Sequence, residues 1–198
     1  MSPLDKGYFT DQELAQLGFA EYGDDVKISR NCAIIGAKNV RIVSHVRIDD
    51  YVVISAASGS LELGSYIHIA AGAYLGCSGG ITMADFAAIS HGTKVYSASD
   101  DYSGAALTNP TVPKKYLKVD VAPVVLGRHA IIGAGSIVLP GAHIAEGTAV
   151  GAMSLIKRGF QCAPWGVYYG SPARKIAIRS KVMLEAEAAL LAEERRQP

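Results

Sequence analysis

Aliphatic residues return along this chain at a spacing that neither a helix nor an ordinary strand produces. If the third residue of each repeating unit is counted, the step is six within groups of three, and it is nine from Ile54 to Leu63 and eight from Leu75 to Met83, between the groups that precede a long interruption. A period of six fits no helix face, and the two-residue period of a strand does not by itself set a six-residue repeat. The positions are Ile42, Ile48, Ile54, Leu63, Ile69, Leu75, Met83, Ile89, Val95, Leu126, Ile132, Val138, Ile144, Val150 and Ile156.

This pattern predicts short strands joined by tight corners, with three strands to each turn of a prism. Each strand would place one aliphatic side chain in a narrow axial core. Successive turns would stack at about the 4.8 Å separation of neighbouring strands, and each turn would satisfy the backbone polar groups of the next. A sandwich with turns every few residues would not keep this register. The sequence therefore predicts an all-β, three-sided solenoid.

One long segment interrupts the repeat, and it begins within the stretch VYSASDDYSG that follows Lys94. The extra residues between groups always follow the third strand, so they bulge from one edge of the prism. The interruption leaves from the same edge, and we predict an extruded loop over residues 98–121. Its TNPTVP stretch supplies prolines that would stiffen the excursion.

The sequence predicts a helix near each end of the chain. The stretch FTDQELAQLGF resembles a short helix with Thr10 as its N-cap and Glu13 at the capping-box position. The stretch RSKVMLEAEAALLAEERRQ is rich in helix formers, and we interpret it as a cap or a subunit-packing helix. We divide the chain into an N-terminal capping segment (1–25), the solenoid (26–178) and a C-terminal helix (179–198).

Composition and charge exclude several classes of function. A formal net charge of +1 gives no reason to expect nucleic acid as a partner. No apolar run approaches the roughly 20 residues that a membrane span needs, and MSPLDKGYFT lacks the layout of a signal peptide. The three cysteines form no CxxC pattern, and we interpret them as free thiols in a reducing cytoplasm.

The hexads, together with the ending VYYGSPARKI, resemble the hexapeptide-repeat acyltransferases over residues 26–178. Within that family the chain looks most like the sugar O- and N-acetyltransferases of the galactoside, maltose and lipopolysaccharide-modifying type. The resemblance implies a left-handed parallel β-helix, a handedness that the spacing alone does not reveal. It also implies a homotrimer that uses acetyl-CoA as co-substrate, needs no metal and forms its active sites between subunits.

The resemblance further implies a cofactor-binding set in the C-terminal coils. VVLGRHAIIGAGSIV matches the coil whose backbone N–H faces the thioester oxygen, which points to Ala134. In GAMSLIKRG, Ala152, Lys157 and Arg158 would lie along the pantetheine and phosphate end. Arg174 and Lys175, after the GSPA turn, would pair with the CoA phosphates, because both side chains bind phosphate well.

The catalytic part of the resemblance fails at one position. Galactoside-type relatives carry a histidine at the start of the loop, and Asp100 falls at that position here. Three interpretations remain open. His68 in IHIAAG, or His91 one coil further on the same face, could be the general base. Asp100 could be the base, or could orient a histidine of a neighbouring subunit. A neutral amine of an amino sugar could attack the thioester with no strong base.

In each case Asp101, Tyr102 and Ser103 would contact the acceptor, since their side chains bond well to hydroxyl and amine groups.

The sequence thus predicts a cytoplasmic, acetyl-CoA-dependent acetyltransferase acting on a sugar, either a polysaccharide or lipopolysaccharide precursor or a nucleotide sugar. An antibiotic acetyltransferase of the streptogramin or chloramphenicol type and a non-catalytic β-helix scaffold are the alternatives. A γ-type carbonic anhydrase would need three histidines converging on a metal between subunits, and the sequence shows no close histidine pair in the last coils. The sugar, the acylated position and the length of the acyl chain are left open.

Overall fold

The computed structural model describes residues 6–196, so residues 1–5 of the predicted capping segment and the last two residues of the chain lie outside it. The described strands, in chain order, are β1 (Glu21–Tyr22), β2 (Val26–Ile28), β3 (Ala33–Ile35), β4 (Val40–Ile42), β5 (Val46–Ile48), β6 (Val53–Ser55), β7 (Leu61–Leu63), β8 (Ile67–Ile69), β9 (Tyr74–Gly76), β10 (Ile81–Met83), β11 (Ala88–Ile89), β12 (Lys94–Tyr96), β13 (Ala98–Ser99), β14 (Asp120–Val121), β15 (Val124–Leu126), β16 (Ile131–Ile132), β17 (Ile137–Val138), β18 (His143–Ile144), β19 (Ala149–Val150), β20 (Leu155–Ile156), β21 (Gln161–Cys162), β22 (Gly166–Tyr169) and β23 (Arg174–Ile178). The helices are α1 (Asp11–Leu14), α2 (Met183–Glu194) and two short 3-10 turns, Ala37–Asn39 and Lys114–Tyr116.

The strands form three long sheets, one for each side of the prism. The first sheet has the order β1-β4-β7-β10-β15-β18-β21, the second β2-β5-β8-β11-β16-β19-β22-β23 and the third β20-β17-β12-β9-β6-β3. Each strand pairs with strands of the coils before and after it, and these pairs are parallel except for the final antiparallel pair of β22 with β23. The predicted solenoid is therefore confirmed.

The axial core consists of the aliphatic residues that the hexads singled out. Every one of the fifteen predicted positions is at most 2% exposed. Parallel register places them directly above one another, as in the column Ile48, Ile69, Ile89 and Ile132. Burial of one aliphatic side chain per strand, at about 1.5–3 kcal/mol each, supplies the main driving force for stacking the coils.

The interruption of the repeat is an extruded loop with a paired stem. β13 and β14 are antiparallel and join Ala98 to Val121 and Ser99 to Asp120. The coil resumes at β15, which pairs with β10 across the gap in sequence. The loop therefore leaves the edge between the third and first sheets without breaking the stack.

Helices close one end of the solenoid and line one of its corners. The Thr10 side chain accepts from the backbone of Glu13, and the Glu13 carboxylate bonds back to Thr10, which completes the predicted capping box. Leu14 of α1 is buried against the first coil. Helix α2 is fastened by Glu187, whose carboxylate bonds to Nε2 of the buried His129 at 2.8 Å. Among residues 6–196, no helix has both the length and the apolar character needed to cross a membrane.

Candidate active site

The turns between the second and third sheets align five residues in one column parallel to the solenoid axis. In each of these turns the amide of the following residue bonds to the carbonyl of the column residue one coil earlier. The bonds run from Gly72 to Asp50 (3.0 Å), from Gly92 to Ala71 (3.0 Å), from Gly135 to His91 (2.9 Å) and from Met153 to Ala134 (2.8 Å). We call this set the corner column, and its members are Asp50, Ala71, His91, Ala134 and Ala152.

Ala134 presents an unused backbone donor at this corner. It occupies the second position of a four-residue turn that closes with a 3.3 Å bond from the Ser136 amide to the Gly133 carbonyl. Gly135 in the third position has a φ of 67°, so the turn is of type II. Within residues 6–196 the Ala134 N–H donates to no acceptor. An amide held in this way can donate to a carbonyl oxygen of a bound ligand.

His68 lies on the outer face of the second sheet and is part of a polar cluster. Its Nε2 is 2.8 Å from Oδ2 of Asp49, and Nε of Arg47 donates to the other carboxylate oxygen at 2.6 Å. Burial alone would raise the pKa of Asp49, but the hydrogen bonds from Arg47 and His68 outweigh it and lower that pKa. The sequence analysis missed Asp49; the available signal was an acidic residue two positions after an outward-facing arginine, one coil before His68.

The two candidate histidines occupy different places. Ala88, and not His91, is the register partner of His68 on the second sheet. The expectation that His91 shares the face of His68 is wrong, because the chain turns after β11 and places His91 in the corner column directly before Ala134. His68 belongs to the coil of Ala71, two strand separations or about 10 Å along the axis from Ala134.

The root of the loop forms a separate cavity of about 380 Å³. Asp100 is exposed there, and the structure places no hydrogen-bond partner against its carboxylate within the described residues. The cavity and the corner column lie at opposite edges of the third sheet. The residues that line the cavity are Ser99, Asp100, Asp101, Tyr102, Lys118, Asp120, Leu139, Pro140 and Arg158.

Of the three residues predicted to contact the acceptor, Asp101 and Ser103 form hydrogen bonds within the loop itself. The Asp101 carboxylate accepts hydrogen bonds from the Ser103 hydroxyl at 2.7 Å and from the amides of Ser103, Ala105 and Ala106 at 2.9–3.1 Å. These bonds, led by that of the Ser103 side chain, lower the pKa of Asp101. Tyr102 is 93% exposed and is the one of the three that projects freely.

The predicted cofactor residues fall into two groups. Ala152 follows Ala134 in the corner column, and Arg174 pairs with Tyr169 at the end of the next coil of the second sheet. Arg174 and its neighbour Lys175 are exposed, so a chain of donors and cations continues along this corner beyond Ala134.

Lys157 and Arg158 lie instead at the corner where the loop leaves. The Arg158 guanidinium forms a two-pronged ion pair with Asp120 of β14, which ties the stem of the loop to the coil below it. Lys157 is exposed.

Comparison with known proteins decides the family. A dTDP-4-amino-4,6-dideoxy-D-glucose acyltransferase of Escherichia coli is 40% identical over 181 residues, which cover 91% of this chain and 93% of the relative. The chain belongs to this acyltransferase family. A scan against models of known protein families finds no match.

Solved structures agree with this assignment. AntD, an N-acyltransferase from Bacillus cereus in complex with dTDP and 3-hydroxybutyryl-CoA, superposes with a TM-score of 0.90 at 41% identity and covers 96% of this chain and 99% of its own. A maltose O-acetyltransferase from Clostridium difficile 630 shares the fold at a TM-score of 0.55 and 18% identity, over 86% of this chain and 75% of its own. The left-handed β-helix and the acyltransferase class that the family resemblance implied are confirmed.

Replacing Asp101 with alanine should loosen the loop, because four donors lose their acceptor. Hydrogen exchange at the amides of Ser103, Ala105 and Ala106 should become at least several-fold faster, whereas Asp100→Ala, the neighbouring control, should leave it unchanged. The hydrogen bonds to the Asp101 carboxylate lower its pKa in the folded protein. The protection of these amides should therefore be complete at pH values above the usual aspartate pKa, and should be lost as the pH falls through the lowered pKa. Equal exchange in the two variants would contradict this role.

Proposed function

We propose that this enzyme transfers an acyl group from acyl-CoA to the amine of a nucleotide-linked amino sugar. The relatives that cover almost the whole chain act on dTDP-4-amino-4,6-dideoxyglucose or bind dTDP and an acyl-CoA, which supports a nucleotide sugar over a free sugar or an antibiotic. Acetyl-CoA is the expected donor, and 3-hydroxybutyryl-CoA is the second to test. Both substrate classes are cytoplasmic metabolites, in keeping with the predicted location, and an acylated nucleotide sugar would serve the synthesis of a surface polysaccharide such as lipopolysaccharide.

The single observation that carries the proposal is the Ala134 amide, which donates to no acceptor among residues 6–196 and lies next to His91 in the corner column. A sugar hydroxyl is a poor nucleophile and needs a base, whereas a neutral amine attacks a thioester directly. The nitrogen lone pair forms the new amide bond, and the Ala134 N–H stabilises the negative charge that develops on the carbonyl oxygen. The carbon–sulfur bond then breaks, and the proton lost by the amine passes to the departing CoA sulfur.

Asp100 fits this chemistry better than a histidine would. A carboxylate accepts hydrogen bonds from an amino group and can hold it in line with the thioester. His68 as general base stays a prediction, but its distance from Ala134 along the axis favours a role in binding the acceptor.

The proposed path of CoA follows the corner column away from Ala134. Pantetheine would pass Ala152, and the phosphates would meet Arg174 and Lys175. Lys157 lies at the opposite edge of the third sheet and would serve a CoA bound to a neighbouring subunit. Arg158 is already paired with Asp120, so it would contact a CoA phosphate only if its guanidinium bound the carboxylate and the phosphate together.

A homotrimer would bring together the two edges of the third sheet, because the edge at the loop root of one subunit would meet the edge at the corner column of the next. The loop root with Asp100 and the corner around Ala134 belong to the same stretch of coils, so neighbouring prisms packed side by side would join Asp100 of one subunit to Ala134 of the next. The outer face of the second sheet offers an apolar surface for such packing in its C-terminal half. Its outward residues there, in register, are Ala88, Ile131, Ala149 and Val167.

The direct test supplies dTDP-4-amino-4,6-dideoxyglucose with acetyl-CoA or 3-hydroxybutyryl-CoA and identifies the product by mass spectrometry. We expect the addition of one acyl group that survives hydroxylamine treatment, because hydroxylamine cleaves sugar esters but not amides. The matched control is dTDP-6-deoxyglucose, which carries a hydroxyl in place of the amine and should not be acylated. Comparable acylation of this control would contradict the proposal.

The role of the Ala134 amide is tested by Ala134→Pro. Proline suits the second position of a type II turn, and the chain already carries Pro140 and Pro164 in equivalent turns that close onto Ala142 and Gly166. Loss of the N–H should lower kcat about 10²–10³-fold while affinity for CoA and thermal stability stay close to those of the wild type. Ala134→Gly, which keeps the N–H, should retain activity. Equal kcat values in the two variants would remove the amide from the mechanism.

Ile131→Glu tests the packing surface, because it places a charge in the apolar half of the second sheet. Ile131 is 37% exposed in the single chain, so the variant should fold but should lose the trimer in analytical ultracentrifugation. Val43→Glu is the control. Val43 is 54% exposed and directly follows β4 of the first sheet, so this variant should leave the assembly intact. A trimeric Ile131→Glu protein would place the interface elsewhere.

A further inference from the structure

A line of buried hydroxyl groups runs beneath the corner column, and the chemistry above does not use it. Each turn of this corner has four residues, and the member of the corner column is the second of them. The fourth residue is Val52 or Ala73 in the first two turns, and it carries a hydroxyl in the three turns that follow. These hydroxyl residues are at most 2% exposed and are Thr93, Ser136 and Ser154.

Thr93 bonds to the peptide unit that carries the Ala134 amide. Its hydroxyl donates to the Gly133 carbonyl at 3.3 Å, and this carbonyl and the Ala134 N–H belong to one peptide unit. The Ser136 amide donates to the same oxygen, also at 3.3 Å, and closes the turn. Thr93 is 0% exposed, so its hydroxyl is shielded from water. The bond joins the coil before the extruded loop to the coil after it.

We infer that Thr93 is a positioning residue for acyl transfer, because it holds and polarises the peptide unit of the Ala134 N–H. The inference rests on the proposed function, which assigns that N–H to the thioester oxygen. A donor on the carbonyl draws electron density away from the amide nitrogen, so the N–H of the same unit becomes a stronger donor. The bond also opposes rotation of the unit, so the N–H keeps its direction before the substrate arrives.

The earlier turns of the corner show that the fold does not require such a bond. Val52 and Ala73 have no hydroxyl to offer to the next turn. The carbonyls that begin those next turns, of Ala70 and Ser90, accept the turn-closing amide at 3.3 and 3.2 Å. The coils stack there nevertheless. The hydroxyl bond first occurs at the turn of Ala134, where the proposed chemistry needs a fixed donor.

Ser136 repeats the arrangement one coil further on. Its hydroxyl donates to the Gly151 carbonyl at 3.0 Å, and that peptide unit carries the N–H of Ala152. Ala152 is the residue that pantetheine would pass in the proposed path of CoA. The hydroxyl bonds therefore begin at the proposed reaction centre and continue on the side of the acyl donor.

The corner between the first and second sheets supplies a matched control. Thr148 is the fourth residue of its turn there, is 0% exposed, and donates from its hydroxyl to the Ala163 carbonyl at 3.0 Å. The residue after Ala163 is Pro164, so this peptide unit has no N–H. Thr148→Val therefore removes a buried hydrogen bond of the same kind without changing an amide donor.

The first test compares the two valine variants in steady-state turnover. Thr93→Val should lower kcat about five- to tenfold, the size expected for one hydrogen bond, with the KM for acyl-CoA and for the nucleotide sugar within about twofold. Thr93→Ser, which keeps the hydroxyl, should restore kcat to within about twofold of the wild type. Thr148→Val should lower Tm as much as Thr93→Val does, yet leave kcat within about twofold. Unchanged kcat in Thr93→Val, or equal losses of kcat in the two valine variants, would overturn the inference.

The second test is a double-mutant cycle with the Ala134 variants. In Ala134→Pro no N–H is left to polarise, so adding Thr93→Val should not lower kcat further. In Ala134→Gly, which keeps the N–H, adding Thr93→Val should lower kcat by its full factor. If the losses multiply in the Ala134→Pro background, Thr93 acts through the fold and not through the amide, and the positioning role is overturned.

Failure of the proposed function is distinguishable, because the link from Thr93 to the amide can be measured without substrate. In protein labelled with ¹³C at the glycine carbonyls and ¹⁵N at the alanines, the Gly133 carbonyl and Ala134 nitrogen resonances should both move upfield in Thr93→Val. Thr148→Val should leave them in place. Unmoved resonances in Thr93→Val would overturn the inference. Moved resonances in a protein that acylates no dTDP amino sugar would refute the acyl transfer and support the link between Thr93 and the amide.

Discussion

Parallel pairing between successive coils is the constraint on which every functional feature of this chain depends. Each coil bonds to the next in register, so residues far apart in sequence meet in columns. The clearest case is the 2.9 Å bond from the Gly135 amide to the His91 carbonyl, which spans the whole extruded loop. It makes His91 and Ala134 neighbours, and among the described residues the Ala134 amide itself donates to no acceptor.

Because of the same register, the outer face of the second sheet changes from polar to apolar side chains along the solenoid axis. Its outward residues are charged or polar in the first coils, where Lys27, Arg47 and His68 are aligned, and apolar from Ala88 onward. The change occurs in the coil from which the loop departs. One half of the face is therefore suited to a polar ligand and the other to a neighbouring copy of the chain, with the proposed reaction centre close to the boundary.

The sequence predicted the fold almost completely, because a six-residue aliphatic period has few structural solutions and each core side chain is set by its own hexad. It predicted the site in part. Ala134 and Asp100 could be located by motif, but His91 could not be placed, since the corner after β11 depends on where a two-residue strand stops. Nor could the sequence show that Asp101 bonds to the loop backbone, or that Asp49 joins Arg47 to His68. Those contacts depend on side-chain directions in turns and between coils, which the hexad pattern does not specify.

The central claim is that the acceptor amine attacks the acyl-CoA thioester at the Ala134 amide, with CoA following the corner column from there towards Arg174. The most direct measurement is a crystal structure with CoA and dTDP-4-amino-4,6-dideoxyglucose bound together. The account predicts CoA along Ala152 and Arg174 and the sugar amine beside Ala134 and Asp100. CoA running towards Asp50, or a sugar amine bound away from the Ala134 amide, would contradict it.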